Sequence, residues 1–223
     1  MRSVDALIAV GGGSGTAQEL ALAIEHDIPV LPVPTFGGTA RDVWNSYRPE
    51  IVQALRIDEQ RAERWEQPAP MDSNLLEMLA IDMVDALIAS LPRRCFVIMP
   101  FKKDFDKLFD EVILPAITRA GDKAIRVDRV SLTGDAVSQI EKGIRNCEYA
   151  VVVLDDLRPN VLYELGLAHG RDKHTILLNQ EGSLGEEGIA FDIFTRHRLE
   201  YVEVNDKLQD DLLRVINSLP SRN

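Results

Sequence analysis

The apolar positions of this chain fall into short runs separated by longer amphipathic stretches. In the second half, five such runs alternate with stretches of helical composition, which is the pattern of strands and helices in a parallel sheet. A layer of this kind predicts a flavodoxin-like, doubly wound α/β fold. The predicted strands are residues 95–99, 124–127, 149–154, 175–178 and 199–202, and the predicted helices are 105–120, 136–146, the stretch around Glu164, and 207–219.

The first part of the chain carries two apolar runs, residues 4–10 and 28–33, and each ends in a glycine-containing loop. A strand, a glycine-rich turn and a helix in succession form a place where backbone N–H groups can hold an anion. The pattern predicts a cradle for the phosphate of a nucleotide, and the alternative is a tight turn without a ligand. The candidate nucleotide-binding residues are Gly12, Gly13, Ser14, Gly15, Thr16, Glu19, Gly37 and Gly38.

The clearest boundary is the Pro-Ala-Pro segment 68–70, which follows a charged, helical stretch. We therefore divide the chain into residues 1–67, a linker helix within 68–92, and a second domain in 93–223. Asn74 and Glu77 resemble a capping box for the linker helix. We expect its apolar stripe to pack on the second domain, with a dimer interface as the alternative. The stripe comprises Leu76, Leu79, Met83, Leu87 and Leu91.

Composition and charge limit the function classes. Of the 223 residues, 45% are hydrophobic and 27% are charged, which is ordinary for a globular protein. The net charge of −11 and the lack of a Lys/Arg stripe argue against nucleic-acid binding. No apolar run is long enough to span a membrane and the N-terminus lacks a signal pattern, so we expect a cytoplasmic protein. Cys95 and Cys147 lack metal-binding spacing, and we expect buried free thiols.

The strongest candidate site begins where the apolar run 149–154 is followed by Asp155 and Asp156. Polar groups at the carboxyl end of a parallel strand lie where α/β proteins bind ligands. The next helix begins after a proline and carries Asn160 and Glu164 on one face. Glu164 stands in an otherwise apolar helix, where an unpaired carboxylate is costly. We favour a functional role for Glu164 over that of a solvated helix carboxylate.

Two further loops, one with Met99 to Phe101 and one with Asp135, bring candidate residues to the same predicted sheet edge. Carboxylates without metal ligands, in a cleft closed by aromatic rings, suit the cleavage of a glycosidic bond. One carboxylate attacks or stabilises a ribosyl cation while another orients the sugar hydroxyls. The predicted catalytic residues are Glu164, Asp156 and Asp155, and the predicted substrate-binding residues are Met99, Pro100, Phe101, Asp135, Asn160 and Tyr163, with no metal ligand.

Two residues near this site have alternative interpretations. His169 lies near the end of the Glu164 helix, where a cation interacts favourably with the helix dipole. We favour that structural role over a catalytic one. Asp192 is either within reach of the site or a loop carboxylate, and the sequence leaves both open.

The first glycine loop also carries a family resemblance. Residues 12–19, GGSGTAQE, resemble the GGxGTxxE signature of the SLOG superfamily, which includes LOG nucleotide-processing enzymes and nucleotide-sensing modules of bacterial defence systems. The segment 31–44 looks like its continuation. The family fold is Rossmann-like and has further strands ahead of this motif. The resemblance therefore implies either a half-domain that a partner completes or a module whose upstream part is absent. The arginine of the hydrolytic members is not evident, which implies binding rather than catalysis.

The second domain has its own resemblance, over about residues 94–203. The segments CFVIMPF, YAVVVLDD and PNVLYELGLAHG are similar to those of nucleoside 2-deoxyribosyltransferase-like and TIR-like proteins, which break N-glycosidic bonds of nucleosides or NAD. By position, Glu164 matches the family's catalytic glutamate, Asn160 its asparagine and Asp156 its preceding aspartate. The loop between Asp156 and Asn160 is shorter than in the family. Gln139 replaces an aspartate of the transferases, which favours hydrolysis over transfer.

These inferences together predict an N-glycosidase that acts on NAD or a related nucleotide and needs no cofactor. A nucleotide at the SLOG-like module would control it through homo-oligomerisation, in the manner of a bacterial defence or stress effector. The alternative is a non-catalytic nucleotide-sensing protein that acts through oligomerisation.

Overall fold

A computed structural model describes residues 4–26, 28–100, 102–126, 136–184 and 198–220. The chain divides into two compact units, one of Met1–Leu91 with Ser221–Asn223 and one of Pro92–Pro220. The sequence had predicted a boundary near residue 68 and a separate linker helix. The helix in question belongs instead to the first unit.

The first unit contains a two-stranded parallel sheet and four helices within its described residues. Leu7 pairs with Val30 and Val10 with Val33, so the predicted Rossmann-like strand–helix–strand arrangement is present. In chain order, the elements are β1 (Leu7–Val10), α1 (Ser14–Glu25), β2 (Val30–Val33), a 3-10 turn (Pro34–Phe36), α2 (Gly38–Leu55), α3 (Glu59–Glu66) and α4 (Ser73–Ser90).

Two buried tryptophans hold α2, α3 and α4 together. Trp44 and Trp65 are fully buried, with ring centroids 5.8 Å apart. The Trp44 indole N–H donates to Glu66 (2.9 Å), and that of Trp65 donates to Asp82 (2.7 Å). A buried indole needs such a partner, so these carboxylates make the apolar core of this unit compatible with tryptophan.

Helix α4 corrects two expectations. Its N-cap is Asp72, whose carboxylate accepts hydrogen bonds from the N–H groups of Asn74 and Leu75, so the predicted capping box of Asn74 and Glu77 is wrong. The apolar stripe is buried as predicted at Met83 and Leu87. It lies in the core of the first unit, with the tryptophans, and is not the expected connector surface.

The second unit is built on a five-stranded parallel sheet. Its elements are β3 (Arg94–Ile98), a 3-10 turn (Lys103–Phe105), α5 (Asp106–Leu108), a π-helical segment (Phe109–Ile113), α6 (Leu114–Arg119), β4 (Lys123–Ile125), α7 (Ala136–Asn146), β5 (Tyr149–Val153), a 3-10 turn (Asp155–Leu157), α8 (Pro159–His169), β6 (His174–Gln180), β7 (Arg198–Tyr201) and α9 (Asp206–Ser218).

The strand order is β4-β3-β5-β6-β7 with every neighbouring pair parallel. This is the flavodoxin-like order, and it confirms the predicted doubly wound fold. Alternate residues of each strand enter two cores. One core contains Val97 and Leu178 with helices α6 and α9, and the other contains Leu177 with helices α7 and α8.

The cysteines, the longest helices and the potential metal ligands were also considered in the sequence. Cys95 and Cys147 are free and buried, as predicted, and burial raises the pKa of both thiols, that of Cys147 to about 11. Within the described residues, no helix is both long and apolar enough to cross a membrane. In the same part of the chain, no three His, Cys, Asp or Glu side chains are grouped so as to hold a metal ion.

Candidate active site

The candidate site lies at the carboxyl edge of the five-stranded sheet, where the strand order reverses. From β3 the chain crosses to β4 on one side, and from β5 it crosses to β6 on the other. The loops that leave β3 and β5 therefore diverge and open a crevice, which is where doubly wound sheets bind ligands. Met99 and Pro100 follow β3, and Asp155 follows β5. The predicted site residues Phe101 and Asp135, and Asp192, lie outside the described residues.

The connection from β5 to α8 is short and conformationally unusual. Leu157 has a φ of 42°, in the left-handed region that costs a non-glycine residue about 1–2 kcal/mol. Its side chain packs on the core beneath α8, which offsets this cost. Pro159 then begins the helix at its first position, where a missing N–H is tolerated. The tight loop thus fixes where α8 starts relative to the end of β5.

Glu164 lies on the buried side of α8, one and four residues away from the core positions Leu165 and Ala168. It is only 5% exposed. Within the part of the chain that the structure describes, no hydrogen bond or ion pair reaches its carboxyl group. Burial raises the pKa of Glu164 from 4.5 to about 7. The group is therefore close to half-ionised at neutral pH, a condition suited to acid–base or nucleophilic work.

Asp155 is equally buried, but three donors surround it. The Gln180 backbone N–H (2.6 Å) and the Ser183 hydroxyl (2.9 Å) donate to Oδ1, and the Tyr201 hydroxyl donates to Oδ2 (2.6 Å). Burial and this neighbouring carboxylate raise the pKa of Tyr201 above its usual value. Asp155 thus ties the end of β5 to β6 and β7. The sequence had grouped it with Glu164 as a catalytic carboxylate, whereas its contacts are those of a positioning residue.

The other predicted site residues have different surroundings. Asn160 and Tyr163 lie in the first half of α8, and both are exposed, Tyr163 by 60%. Met99 is buried in the core that contains α6 and α9, on the face of the sheet opposite α8. Pro100 is buried, and the Asp156 side chain lies outside what the structure describes. The described residues thus bring Asn160 and Glu164 onto one helix without bringing the Met99 side chain to them.

His169 is the last residue of α8, and its Nε2 lies 3.1 Å from the Thr175 hydroxyl at the start of β6. This is the end of the helix away from Glu164. The position agrees with the structural role that the sequence favoured.

In the first unit, the two glycine loops meet, as expected for strands that end on one edge of a parallel sheet. The Thr39 and Ala40 N–H groups donate to the carbonyls of Gly12 and Gly11, and the Thr39 hydroxyl donates to the Gly13 carbonyl. A side chain on Gly38 would come within 3.0 Å of the first loop. The first turn of α2 is thus occupied by the first loop, and Gly37 and Gly38 serve that contact.

In the first glycine loop, glycine is required for a different reason than in the second loop. Gly12 has a φ of 94°, and a Cβ there would meet the Thr16 side chain at 2.3 Å, so only glycine fits. Helix α1 begins at Ser14, with no side-chain cap. Ser14 and Gly15 are exposed in its first turn. Glu19 is therefore in the second turn, and it is exposed.

Comparisons with known proteins give structural neighbours only. No family model matches the chain, and no curated protein sequence matches it. Among solved structures, the CMP N-glycosidase of Clostridium botulinum is 16% identical, with a TM-score of 0.41, over 56% of this chain and 98% of that one. A 2-deoxyribosyltransferase from Bacillus psychrosaccharolyticus is 12% identical, with a TM-score of 0.39, over 53% of this chain and 95% of that one. The fold is assigned from the order of the five parallel strands. The SLOG-like and TIR-like resemblances stay predictions.

Proposed function

We propose that the second unit hydrolyses the N-glycosidic bond of a nucleotide or nucleoside, with NAD or a related nucleotide as substrate. The observation that carries this proposal is Glu164, a residue that is 5% exposed and whose carboxyl group has a pKa of about 7 and no partner among the described residues. Burying a carboxyl group without a partner is unfavourable for folding alone. Such a group persists where a reaction uses it.

In the proposed reaction, the Glu164 carboxylate acts at the anomeric carbon of the sugar. It either forms a bond to that carbon or stabilises the developing positive charge, while the N-glycosidic bond breaks and its electron pair leaves with the base. Water then adds to the anomeric carbon, and where Glu164 has formed a bond to that carbon, this bond breaks. The proton of the water passes to the departing base, and the sugar part of the substrate is released with the new hydroxyl group. Asp156 stays the candidate for the second carboxylate, and Asp155 holds the sheet edge in place.

Base release tests the proposal directly. The protein is incubated with NAD, ATP and a panel of deoxynucleosides, and free base is detected by chromatography. We expect release by the wild type and a loss of at least about 10³-fold in Glu164→Gln. The matched control is Glu203→Gln, which changes an exposed carboxylate and should leave base release as in the wild type. Wild-type and Glu164→Gln proteins that are equally silent, with every candidate nucleotide present, would contradict the proposal.

A second candidate function concerns the first unit, where a nucleotide would bind at the start of α1 and control activity through homo-oligomerisation. Its support is the fixed glycine loop with exposed residues in the first helical turn. In calorimetry with ATP and NAD, Gly12→Ala should weaken binding because the new methyl group meets Thr16. Glu25→Gln, an exposed change at the other end of α1, is the control and should bind as the wild type does. Equal affinities of Gly12→Ala and wild type would contradict this function.

Light scattering with and without nucleotide tests the oligomerisation step. A mass that rises with nucleotide supports control by assembly, as in a defence or stress effector. Base release without any change of mass would leave the proposed hydrolysis standing and would contradict control by oligomerisation.

A further inference from the structure

Asn179 is a buried amide on the side of the five-stranded sheet that α8 covers, and the proposed reaction does not yet use it. It is the second-last residue of β6, and its side chain is fully buried. Its amide nitrogen donates to the Gln180 carbonyl (3.1 Å) and to the Glu200 carboxylate (3.1 Å). Among buried side-chain oxygens in the described part of the chain, Asn179 Oδ1 is the one without a donor.

The alternation along β6 places Asn179 on the face of the sheet that α8 covers. Leu177 packs with the buried residues of α8, whereas Leu178 packs with those of α9. Asn179 therefore has the same orientation as Leu177. It also lies at the carboxyl end of β6, next to Gln180, whose N–H donates to Asp155. The Asn179 amide and Glu164 thus lie on one face of the sheet, and α8 packs on both β5 and β6.

The hydrogen bonds fix which way the amide is turned. Both donor positions are used, one by Gln180 and one by Glu200, which is the neighbour of Asn179 on the edge strand β7. The oxygen is the opposite branch of the amide and is turned away from Glu200. An uncharged acceptor in this position is suited to an O–H or N–H donor of a ligand.

An acceptor buried without a donor is unfavourable, and such groups in native proteins need an explanation. We infer that Asn179 Oδ1 accepts a hydrogen bond from the substrate, from the hydroxyl group on the sugar carbon next to the anomeric carbon. This inference rests on the proposed function, in which Glu164 acts at the anomeric carbon. Hydrogen bonds to that 2-hydroxyl strengthen in the transition state of glycosidic cleavage. The substrate class is then a ribonucleoside or ribonucleotide rather than its 2′-deoxy form.

The test compares the rates of two substrates in two proteins. Rates of base release are measured for the ribose and 2′-deoxyribose forms of one nucleotide, with wild type and Asn179→Leu, which keeps the branched shape of the side chain and has no acceptor. We expect kcat/KM of the wild type to favour ribose by about tenfold to hundredfold. In Asn179→Leu the ratio of kcat/KM for the ribose form to that for the 2′-deoxyribose form should fall about tenfold to hundredfold, through loss of activity on the ribose form.

Two controls separate substrate contact from folding. Glu200→Gln changes the partner of the amide nitrogen and leaves the acceptor in place, so its ribose preference should equal that of the wild type. Thermal unfolding is recorded for each protein, and Asn179→Ala replaces Asn179→Leu if the leucine prevents folding. A ribose preference that survives in the Asn179 variants overturns the inference, as do equal wild-type rates on the two sugars. Either result leaves the proposed hydrolysis standing.

If the wild type releases base from neither sugar, the proposed function fails and calorimetry decides the inference. A ribose preference in Kd that Asn179→Leu abolishes supports the contact with Asn179. The absence of any binding, or of any preference, overturns it.

Discussion

Two acidic residues near the carboxyl edge of the five-stranded sheet are equally buried, yet the surroundings of their carboxyl groups are opposite. Asp155 accepts hydrogen bonds from three donors, and Glu164 has no partner among the described residues. Both are 5% exposed. The difference shows that burial alone does not mark a functional carboxylate. Burial with satisfied hydrogen bonds stabilises the fold, and burial without them costs stability that a reaction can justify.

The largest expected effect on folding is that of removing Asp155. Asp155→Ala leaves the buried Tyr201 hydroxyl and the Gln180 N–H without their acceptor, so we expect a loss of about 3–5 kcal/mol in the free energy of unfolding. Urea denaturation at pH 7 measures it. Asp155→Asn keeps an acceptor and should lose less. A loss below about 1 kcal/mol in Asp155→Ala would mean that the two carboxyl groups do not differ as described.

Glu164→Gln should increase the free energy of unfolding, whereas Asp155→Ala lowers it. The rise of the pKa from 4.5 to about 7 means that folding disfavours the charged form by about 3 kcal/mol. Between these pKa values the folded protein keeps a proton that the unfolded chain loses, so wild-type stability falls as pH rises through this window. Glu164→Gln should then be about 3 kcal/mol more stable than wild type at pH 8 and equal to it near pH 4. Urea denaturation at both pH values checks this, and an equal or lower stability at pH 8 would contradict the account.

Activity should follow the same ionisation. If the carboxylate form of Glu164 attacks or stabilises the sugar, kcat/KM for base release rises about tenfold per pH unit below pH 7 and levels off above it. A rate that falls as pH rises through 7 would instead assign Glu164 the role of a proton donor. The pH profile of the exposed-site variant Glu203→Gln should match that of the wild type.

The smallest expected effect is that of removing one donor from Asp155. Tyr201→Phe leaves two donors on the carboxylate, so we expect a loss of about 1–2 kcal/mol in the free energy of unfolding. Base release should be little changed, because the remaining hydrogen bonds hold Asp155. A large loss of activity at unchanged stability would place Asp155 in the reaction.

The local pattern predicted the elements and the exceptional position of Glu164. Five apolar runs gave the five strands, and a lone carboxylate in an apolar helix indicated a buried group before any contact was known. The pattern could not distinguish Asp155 from Asp156, because the donors of Asp155 come from positions 25, 28 and 46 residues further along the chain. Such contacts depend on strand register, which composition does not encode.

The wrong predictions for the first unit have a similar cause. Asp72 and Asn74 are both good helix caps, and the choice between them depends on where the chain turns. The stripe on α4 was correctly predicted to be apolar, but the surface that it covers includes two tryptophans on other helices. Asn179 was missed because the cost of its oxygen appears only once its neighbours are in place.

The most direct test of the central claim is an NMR titration of the Glu164 side-chain carboxyl carbon, assigned by comparison with Glu164→Gln. The account predicts a midpoint near pH 7, well above that of the other glutamates. A midpoint near 4.5 would mean that the carboxyl group is solvated or paired, and the proposed chemistry at this residue would then be wrong.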